Sequence, residues 1–167
     1  NSTGKVALPD LVAGDGARLM ALDLRTGKKA WDVRPELDGL QRIIFLSYSE
    51  GVVLITGSFV KNRRSMHLLM AYDAKTGRNL WSLDRSTLFN DINSGHGELQ
   101  RHPAIAKGVI YADPWAYNLF TGRKLEAWHF QRGGHGCGPV TASANALFGR
   151  AGTHGQYDFL GGGKPTK

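Results

Sequence analysis

The sequence predicts an all-β fold built from stacked, four-stranded antiparallel units. One observation is a hairpin pattern, Ala-x-Asp-x-x-Thr-Gly-x-x-x-Trp, that recurs along the chain. A second is the spacing of its turn glycines Gly27, Gly77, Gly122 and Gly162, which lie 50, 45 and 40 residues apart. A third is that no window of about 15 residues carries a helical apolar stripe. A repeat of this period indicates stacked supersecondary units, of which propeller blades are one kind.

Each copy of the pattern predicts a β-hairpin. A short run of alternating apolar residues ends at Asp or Asn, the chain turns through Thr-Gly, and a second run leads to Trp. Glycine can adopt the left-handed conformation that closes such a turn, and Asp or Asn can bond the backbone two residues on. The repeat residues are Asp23, Thr26, Gly27 and Trp31, then Asp73, Thr76, Gly77 and Trp81, then Asn118, Thr121, Gly122 and, after a two-residue slip, Trp128. A fourth, eroded copy covers 157–162.

The tryptophans of the pattern are expected to be structural. A single twisted, four-stranded blade cannot bury both of its faces, so a Trp that recurs once per unit is best placed between neighbouring blades. We therefore expect Trp31, Trp81 and Trp128 to pack between blades.

The chain is expected to form one partial β-propeller domain over 1–167, with repeats at about 5–34, 42–85, 102–130 and 138–167. At 167 residues and 41% hydrophobic composition it is long enough for one globular core. It is short for a closed propeller, because each blade takes about 40 to 50 residues. We expect about four four-stranded antiparallel blades, the first and last incomplete. The chain is then a segment of a larger repeat protein or a half-ring that pairs with another chain.

The predicted strands follow these repeats. They cover 18–24 and 28–33, then 42–47, 51–57, 66–74 and 79–83, then 102–106, 109–113, 115–120 and 124–130, and finally 139–143, 146–150 and 154–159. A turn is expected at 61–65, and 161–167 is expected to form a truncated hairpin turn. The longest irregular segment, 86–101, is of a length that in compact domains is usually functional or disordered.

Composition excludes few classes of protein. No stretch approaches the roughly 18 apolar residues of a membrane helix, and no signal-peptide pattern precedes the first repeat. A single cysteine, Cys137, excludes an internal disulfide framework. The net charge of +7 favours acidic partners. The basic residues decorate successive hairpin tips, however, so no specific nucleic-acid signal is present.

The connections between strands predict a candidate site. In a propeller, the links between blades lie on one face, together with the connection between the second and third strands of each blade. The Thr-Gly turns lie on the other face. The first of these, the loop face, collects His96, His102, His135 and Cys137 together with Glu98 and His154, and Trp115 and Arg63 lie nearby. Imidazole and thiolate groups suit zinc, copper or haem iron, so the first four residues are candidate metal ligands. Their spacing matches no established metal motif, and a structural role in glycine-rich loops is the favoured alternative.

The hairpin pattern is similar to the repeat of quinoprotein-type β-propellers, the group named for pyrroloquinoline quinone (PQQ). Two full copies, a third with Asn118 in place of Asp, and a partial fourth carry the resemblance over most of the chain. It implies four-stranded antiparallel blades around a central axis. Many members resemble the propeller lipoprotein of bacterial outer-membrane β-barrel assembly, which binds partner proteins and has no cofactor.

The resemblance implies a non-catalytic binding or scaffold module in the periplasm or another extracytoplasmic location. Its loop face would take a protein or small-molecule ligand, and further blades would complete the propeller. The alternative is part of a quinone- or metal-dependent oxidoreductase, with PQQ or a metal as cofactor. Quinoprotein dehydrogenases carry vicinal cysteines, a catalytic Asp and calcium ligands, whereas Cys137 has no neighbouring cysteine and no Asp matches a catalytic motif. No catalytic residue is assigned.

Overall fold

The computed structural model describes residues 18–35, 45–61, 64–85, 102–112, 115–126, 140–143, 145–149, 155–158 and 165–166. Every regular element in these ranges is a β-strand. The chain divides into two compact units, 1–92 and 93–167. The described part of the chain contains no helix long and apolar enough to cross a membrane.

The first unit contains a hairpin and a four-stranded sheet. Strands β1 (Leu19–Leu22) and β2 (Lys29–Val33) pair antiparallel. The sheet has the order β3-β4-β5-β6, in which each strand is antiparallel to the next. Its strands are β3 (Phe45–Ser49), β4 (Val52–Lys61), β5 (Arg64–Asp73) and β6 (Asn79–Asp84).

The second unit contains two antiparallel sheets. The first has the order β7-β8-β9, formed by β7 (Ala104–Ala106), β8 (Val109–Ala112) and β9 (Trp115–Asn118). An isolated bridge from Tyr117 to Lys124 continues this sheet. The second has the order β10-β11-β12-β13, formed by β10 (Thr141–Ala142), β11 (Ala146–Gly149), β12 (Gly155–Asp158) and β13 (Pro165–Thr166). The predicted all-β, antiparallel fold class is confirmed.

Two predicted turns differ from the structure. The turn expected at 61–65 is mostly strand, because β4 and β5 pair without interruption as far as Lys61 and Arg64. Past the pairs Phe45–Thr56 and Leu68–Asp84, no strand of the described ranges pairs with β4 or β5 from outside, and these two strands continue as a two-stranded ribbon. The turn expected at 161–167 ends in β13, where Pro165 pairs with Tyr157. Proline is tolerated there because β13 is an edge strand.

Each unit has its own apolar core. In the first, the hairpin packs on the sheet through a cluster of Leu19, Ile55, Met70 and Tyr72, with Trp31, Val33, Val53 and Leu68 around it. In the second, both sheets contribute to a cluster of Ala104, Tyr111, Ala116, Val140 and Leu147. Strand β5 buries both faces, since Leu69 and Ala71 point away from the hairpin and are as buried as Met70 and Tyr72.

Trp31 fastens the hairpin to the sheet. Its indole Nε1 donates a hydrogen bond of 2.9 Å to the carbonyl of Ala74, in the turn between β5 and β6. The ring lies against the backbone of Gly77, so close that a Cβ placed on this glycine would lie 2.7 Å from Trp31 Cε3. The tryptophan of the first copy of the pattern therefore packs on the turn glycine of the second copy.

Two matched substitutions isolate this contact. Gly27 and Gly77 have φ of +68° and +73°, so alanine introduces similar backbone strain, about 1 kcal/mol, at either position. We expect Gly77→Ala to lower the free energy of unfolding by about 1 to 3 kcal/mol more than Gly27→Ala, because only the first forces Trp31 away. Urea denaturation of both variants measures the difference. Equal losses would show that the indole moves aside without cost.

Candidate functional site

The repeated pattern builds the same turn three times. In the second copy, Asp73 Oδ1 accepts hydrogen bonds from the amides of Lys75 and Thr76 at 3.1 and 2.7 Å, and from Thr76 Oγ1 at 2.7 Å. Thr76 Oγ1 in turn accepts from the amide of Arg78 at 3.3 Å, and the amide of Gly77 donates to the carbonyl of Asp73 at 2.8 Å. Asp23 and Asn118 accept the equivalent bonds in the other two copies. The polar side chains of the pattern are therefore engaged in closing the turns.

Charge is not required for this turn. Hydrogen bonds from the side chain and amide of Thr76 hold the pKa of Asp73 below its ordinary value, and those from Thr26 do the same for the pKa of Asp23. Asn118 supplies a neutral oxygen in the same place and accepts three bonds of 3.0, 3.0 and 3.1 Å. The acceptor geometry is thus the common feature, and the carboxylate adds a stronger, charge-assisted version of it.

The turns of the pattern lie beside a second set of turns. Glu50 and Gly51 join β3 to β4, and Lys107 and Gly108 join β7 to β8, all with positive φ as in primed two-residue hairpins. The amide of Ala74 donates to the carbonyl of Gly51 at 2.8 Å, and Leu119 repeats this bond to Gly108 at 2.8 Å. We call the end of each sheet at which these turns lie its turn end. The opposite end of its strands, from which the connections to other sheets begin, is its loop end.

His102 is the predicted metal ligand that the structure describes. It lies two positions before Ala104, the first residue of β7, and is half-buried at the loop end of its sheet. The other three candidates, His96, His135 and Cys137, lie outside the described residues, as do Glu98 and His154 and the side chain of Arg63. Within the described ranges, no three His, Cys, Asp or Glu side chains come together as a metal site. The metal site therefore stays a prediction.

Trp115 lies at the same loop end as His102. It begins β9, and the ammonium group of Lys124 sits 3.8 Å from the centroid of its ring. Lys124 also forms an ion pair of 3.1 Å with Glu126. A cation over an indole face contributes about 0.5 to 1 kcal/mol at an exposed site, so this contact helps to fix the ring at the edge of the sheet.

Arg85 is a loop-end residue that the sequence analysis missed. It follows β6 directly and only 3% of its surface is exposed. Its amide donates a hydrogen bond of 2.7 Å to the carbonyl of His67, which is itself buried. The signal that could have found it is the alternation of more buried and exposed side chains along β6. Arg85 follows Trp81 and Leu83 at every second position and so belongs to the more buried set. A buried guanidinium is costly unless paired, so its position is tightly specified.

A cleft of about 390 Å³ lies in the first unit beside the Trp31 contact. Its lining residues come from the end of the hairpin, from β5 and β6, and from the turn between these two strands, and they are Val33, Arg34, Tyr72, Gly77, Arg78, Asn79 and Ser82. The side-chain Nδ2 of Asn79 donates a hydrogen bond of 3.3 Å to the carbonyl of Ala71. The two arginines give the cleft a positive rim, which suits water or a small anion.

Asp73→Asn separates the charge of the turn from its geometry. Because the folded pKa of Asp73 lies below the ordinary aspartate value of 3.8, the carboxylate contributes stability that is present above that pH and is lost as pH falls through the folded pKa. We expect the stability difference between the parent chain and Asp73→Asn to be constant from about pH 5 to about pH 7 and to shrink in more acidic solution. Urea titrations across this range measure it. A difference that persists below the folded pKa would contradict the charge-assisted bond.

Comparison with known proteins agrees with this geometry. A family model described as outer membrane protein assembly factor BamB matches residues 11–164. No curated protein sequence matches the chain significantly. The match covers every described strand of both units except β13, and it includes the three copies of the turn that the structure describes. The chain belongs to this family of PQQ-like β-propeller repeat proteins.

Proposed function

We propose that the chain is a non-catalytic binding or scaffold module that presents the loop ends of its sheets to a partner protein. The observation that carries this proposal is the match over 11–164 to a family described as an outer membrane assembly factor. That description also supports an extracytoplasmic location and a role in an assembly of several proteins.

The two ends of each sheet differ in how their side chains are engaged, and this difference supports the loop end as the binding surface. At the turn end, the hydrogen bonds that close the turn engage the side chains of Asp73 and Thr76 and the amides that follow them. At the loop end, the side chains of His102 and Trp115 are half-buried and differ in chemistry. Recognition of a specific partner needs side chains that vary between repeats, and loop residues on a rigid scaffold supply them.

The charge of the chain indicates the character of the partner. Lys and Arg total 21 against 14 Asp and Glu, a net charge of +7. A positive surface attracts an acidic partner and accelerates encounter, mainly through the association rate. We therefore expect the partner to present an acidic surface, and the interaction to weaken as salt concentration rises.

Site-specific photo-crosslinking tests the proposed surface. His102 and Lys107 lie on either side of the three-residue strand β7, so they mark the loop end and the turn end of one sheet, up to about 16 Å apart. With a photoreactive amino acid at either position in cells that make the protein, we expect a discrete adduct of higher mass from position 102. Position 107 serves as the matched control. An adduct from position 107 alone would place the partner on the turn end and contradict the proposal.

Metal analysis separates the scaffold function from the oxidoreductase alternative. For a scaffold with structural loop histidines, we expect no stoichiometric zinc, copper or iron in the purified parent chain or in a His135→Ala, Cys137→Ala variant, as measured by plasma mass spectrometry. Stoichiometric metal in the parent that disappears in the variant would assign His135 and Cys137 as ligands, with His96 and His102 as the remaining candidates. That result would favour the alternative function.

A further inference from the structure

The cleft beside the Trp31 contact is a cavity that the proposed function does not use. Its volume of about 390 Å³ is in the range of small-molecule sites in proteins. Its lining includes two arginines, Arg34 and Arg78, and two residues with neutral hydrogen-bonding side chains, Asn79 and Ser82. Among the described residues that line the cleft, none is Asp or Glu. The cleft is therefore suited to a small, negatively charged ligand.

The guanidinium group of Arg78 is accessible to such a ligand. The residue is exposed, and within the described part of the chain its side chain forms no hydrogen bond or ion pair. Asp73, in the same turn, is occupied, because its Oδ1 accepts bonds from the amides of Lys75 and Thr76 and from Thr76 Oγ1. The bonds from Thr76 are the main cause of the lowered pKa of Asp73, and the charge of Arg78 is the smallest. The turn thus closes with little use of the charge of Arg78.

The backbone of the turn favours a carboxylate ligand over a phosphate. Phosphate sites in proteins commonly use several backbone amides at once. Here the four amides of residues 75–78 all donate within the turn, to the side chains of Asp73 and Thr76 and to the carbonyl of Asp73. At this turn the donors that remain for a ligand are side chains. A guanidinium group alone matches the two oxygens of a carboxylate, with two parallel hydrogen bonds.

Part of the wall of the cleft is apolar. Val33 and Tyr72 line the cleft, and both also belong to the apolar core of the first unit. The hydroxyl of Tyr72 lies 3.9 Å from the sulfur of Met70. An inorganic ion would leave this part of the wall without a contact, whereas an aliphatic group attached to the carboxylate would cover it.

We propose that this cleft binds a small aliphatic carboxylate. Arg78 binds the carboxylate oxygens, and Arg34 adds positive charge at the rim. The aliphatic group lies against Val33 and Tyr72. The ligand is a free organic acid or the C-terminal residue of a peptide, since both carry this chemistry. The photo-crosslinking test of the proposed function reports on His102, in the second unit, so the two proposals are tested separately.

A series of small ligands tests the chemistry of the site. The probes are N-acetyl-leucine, N-acetyl-leucinamide, which lacks the carboxylate, N-acetyl-glycine, which lacks the aliphatic group, and inorganic phosphate. Two-dimensional amide NMR spectra of the full 167-residue chain follow each titration. We expect N-acetyl-leucine to bind saturably and to shift the amide signals of Gly77, Arg78 and Ser82. The other three should bind at least about fivefold more weakly, because each lacks either the carboxylate or the aliphatic group.

The chain offers a matched pair of variants. Arg123 has the same position in the third copy of the turn as Arg78 in the second, and each amide donates a bond of 3.3 Å to the threonine hydroxyl two residues before it. Both arginines are exposed, and Arg123 does not line the cleft. Glutamine at either position removes one positive charge and keeps these backbone bonds, so we expect no change in the thermal unfolding midpoint. Arg78→Gln should reduce the affinity for N-acetyl-leucine by at least about fivefold, and Arg123→Gln should change it by less than about twofold.

A short peptide distinguishes the two sources of the carboxylate. The probe is an N-acetylated tripeptide of two alanines and a C-terminal leucine with a free carboxylate. Binding that shifts the same amide signals and is lost in Arg78→Gln would assign the site to peptide C-termini. Exclusion of the tripeptide while N-acetyl-leucine binds would assign it to free acids.

Four results would overturn the proposal. They are the absence of saturable shifts, an affinity for the leucinamide equal to that for the acid, equal losses from the two glutamine variants, and phosphate binding as tight as that of N-acetyl-leucine. The last result would show that the cleft attracts anions through charge alone.

Discussion

The contact between Trp31 and Gly77 is the constraint on which the arrangement of the first unit depends. A two-stranded hairpin is marginal on its own, and β1 and β2 are held because an indole reaches across to the next copy of the pattern. The contact demands a glycine, since any Cβ there would meet the ring. It also demands the left-handed backbone that only glycine adopts without cost. One residue thus satisfies the turn and the packing at once.

The turn that presents Gly77 is rigid for a local reason. The bonds to the Asp73 side chain, and the backbone bonds that join Asp73 to Gly77 and Arg78, all connect residues within five positions of one another. The substitution of Asn118 for aspartate in the third copy leaves this geometry intact. A network of short-range bonds positions the glycine, and the glycine in turn positions the tryptophan of the previous repeat. Stacking order is therefore encoded in a stretch of a few residues.

The parts of the fold that could be predicted are those that local chemistry determines. The turns at Gly27, Gly77 and Gly122 followed from Asp or Asn, Thr and Gly in fixed order, and the all-β class followed from their period. The extents of β4 and β5 did not, because a turn was expected at 61–65, whereas the backbone pairing of the two strands continues as far as Lys61 and Arg64. Arg85 was missed because it is charged. Its position continues the buried side of β6, where an apolar residue is expected. Proximity among His96, His135 and Cys137 depends on long connections, which carry no such local signal.

The ribbon formed by β4 and β5 has a consequence for how such repeats diverge. From Gly51 to Gly77 the chain takes 26 residues, whereas the corresponding distance from Gly108 to Gly122 is 14. Both pairs of glycines lie at turn ends tied by the same backbone bond, so the 12 additional residues must all extend toward the loop end. An insertion at the tied edge would shift the pairing register and turn apolar side chains outward. Growth in one direction alone lets a repeat lengthen while the bonds at its turn end stay the same, so a difference in repeat size becomes a difference in the surface at the loop end.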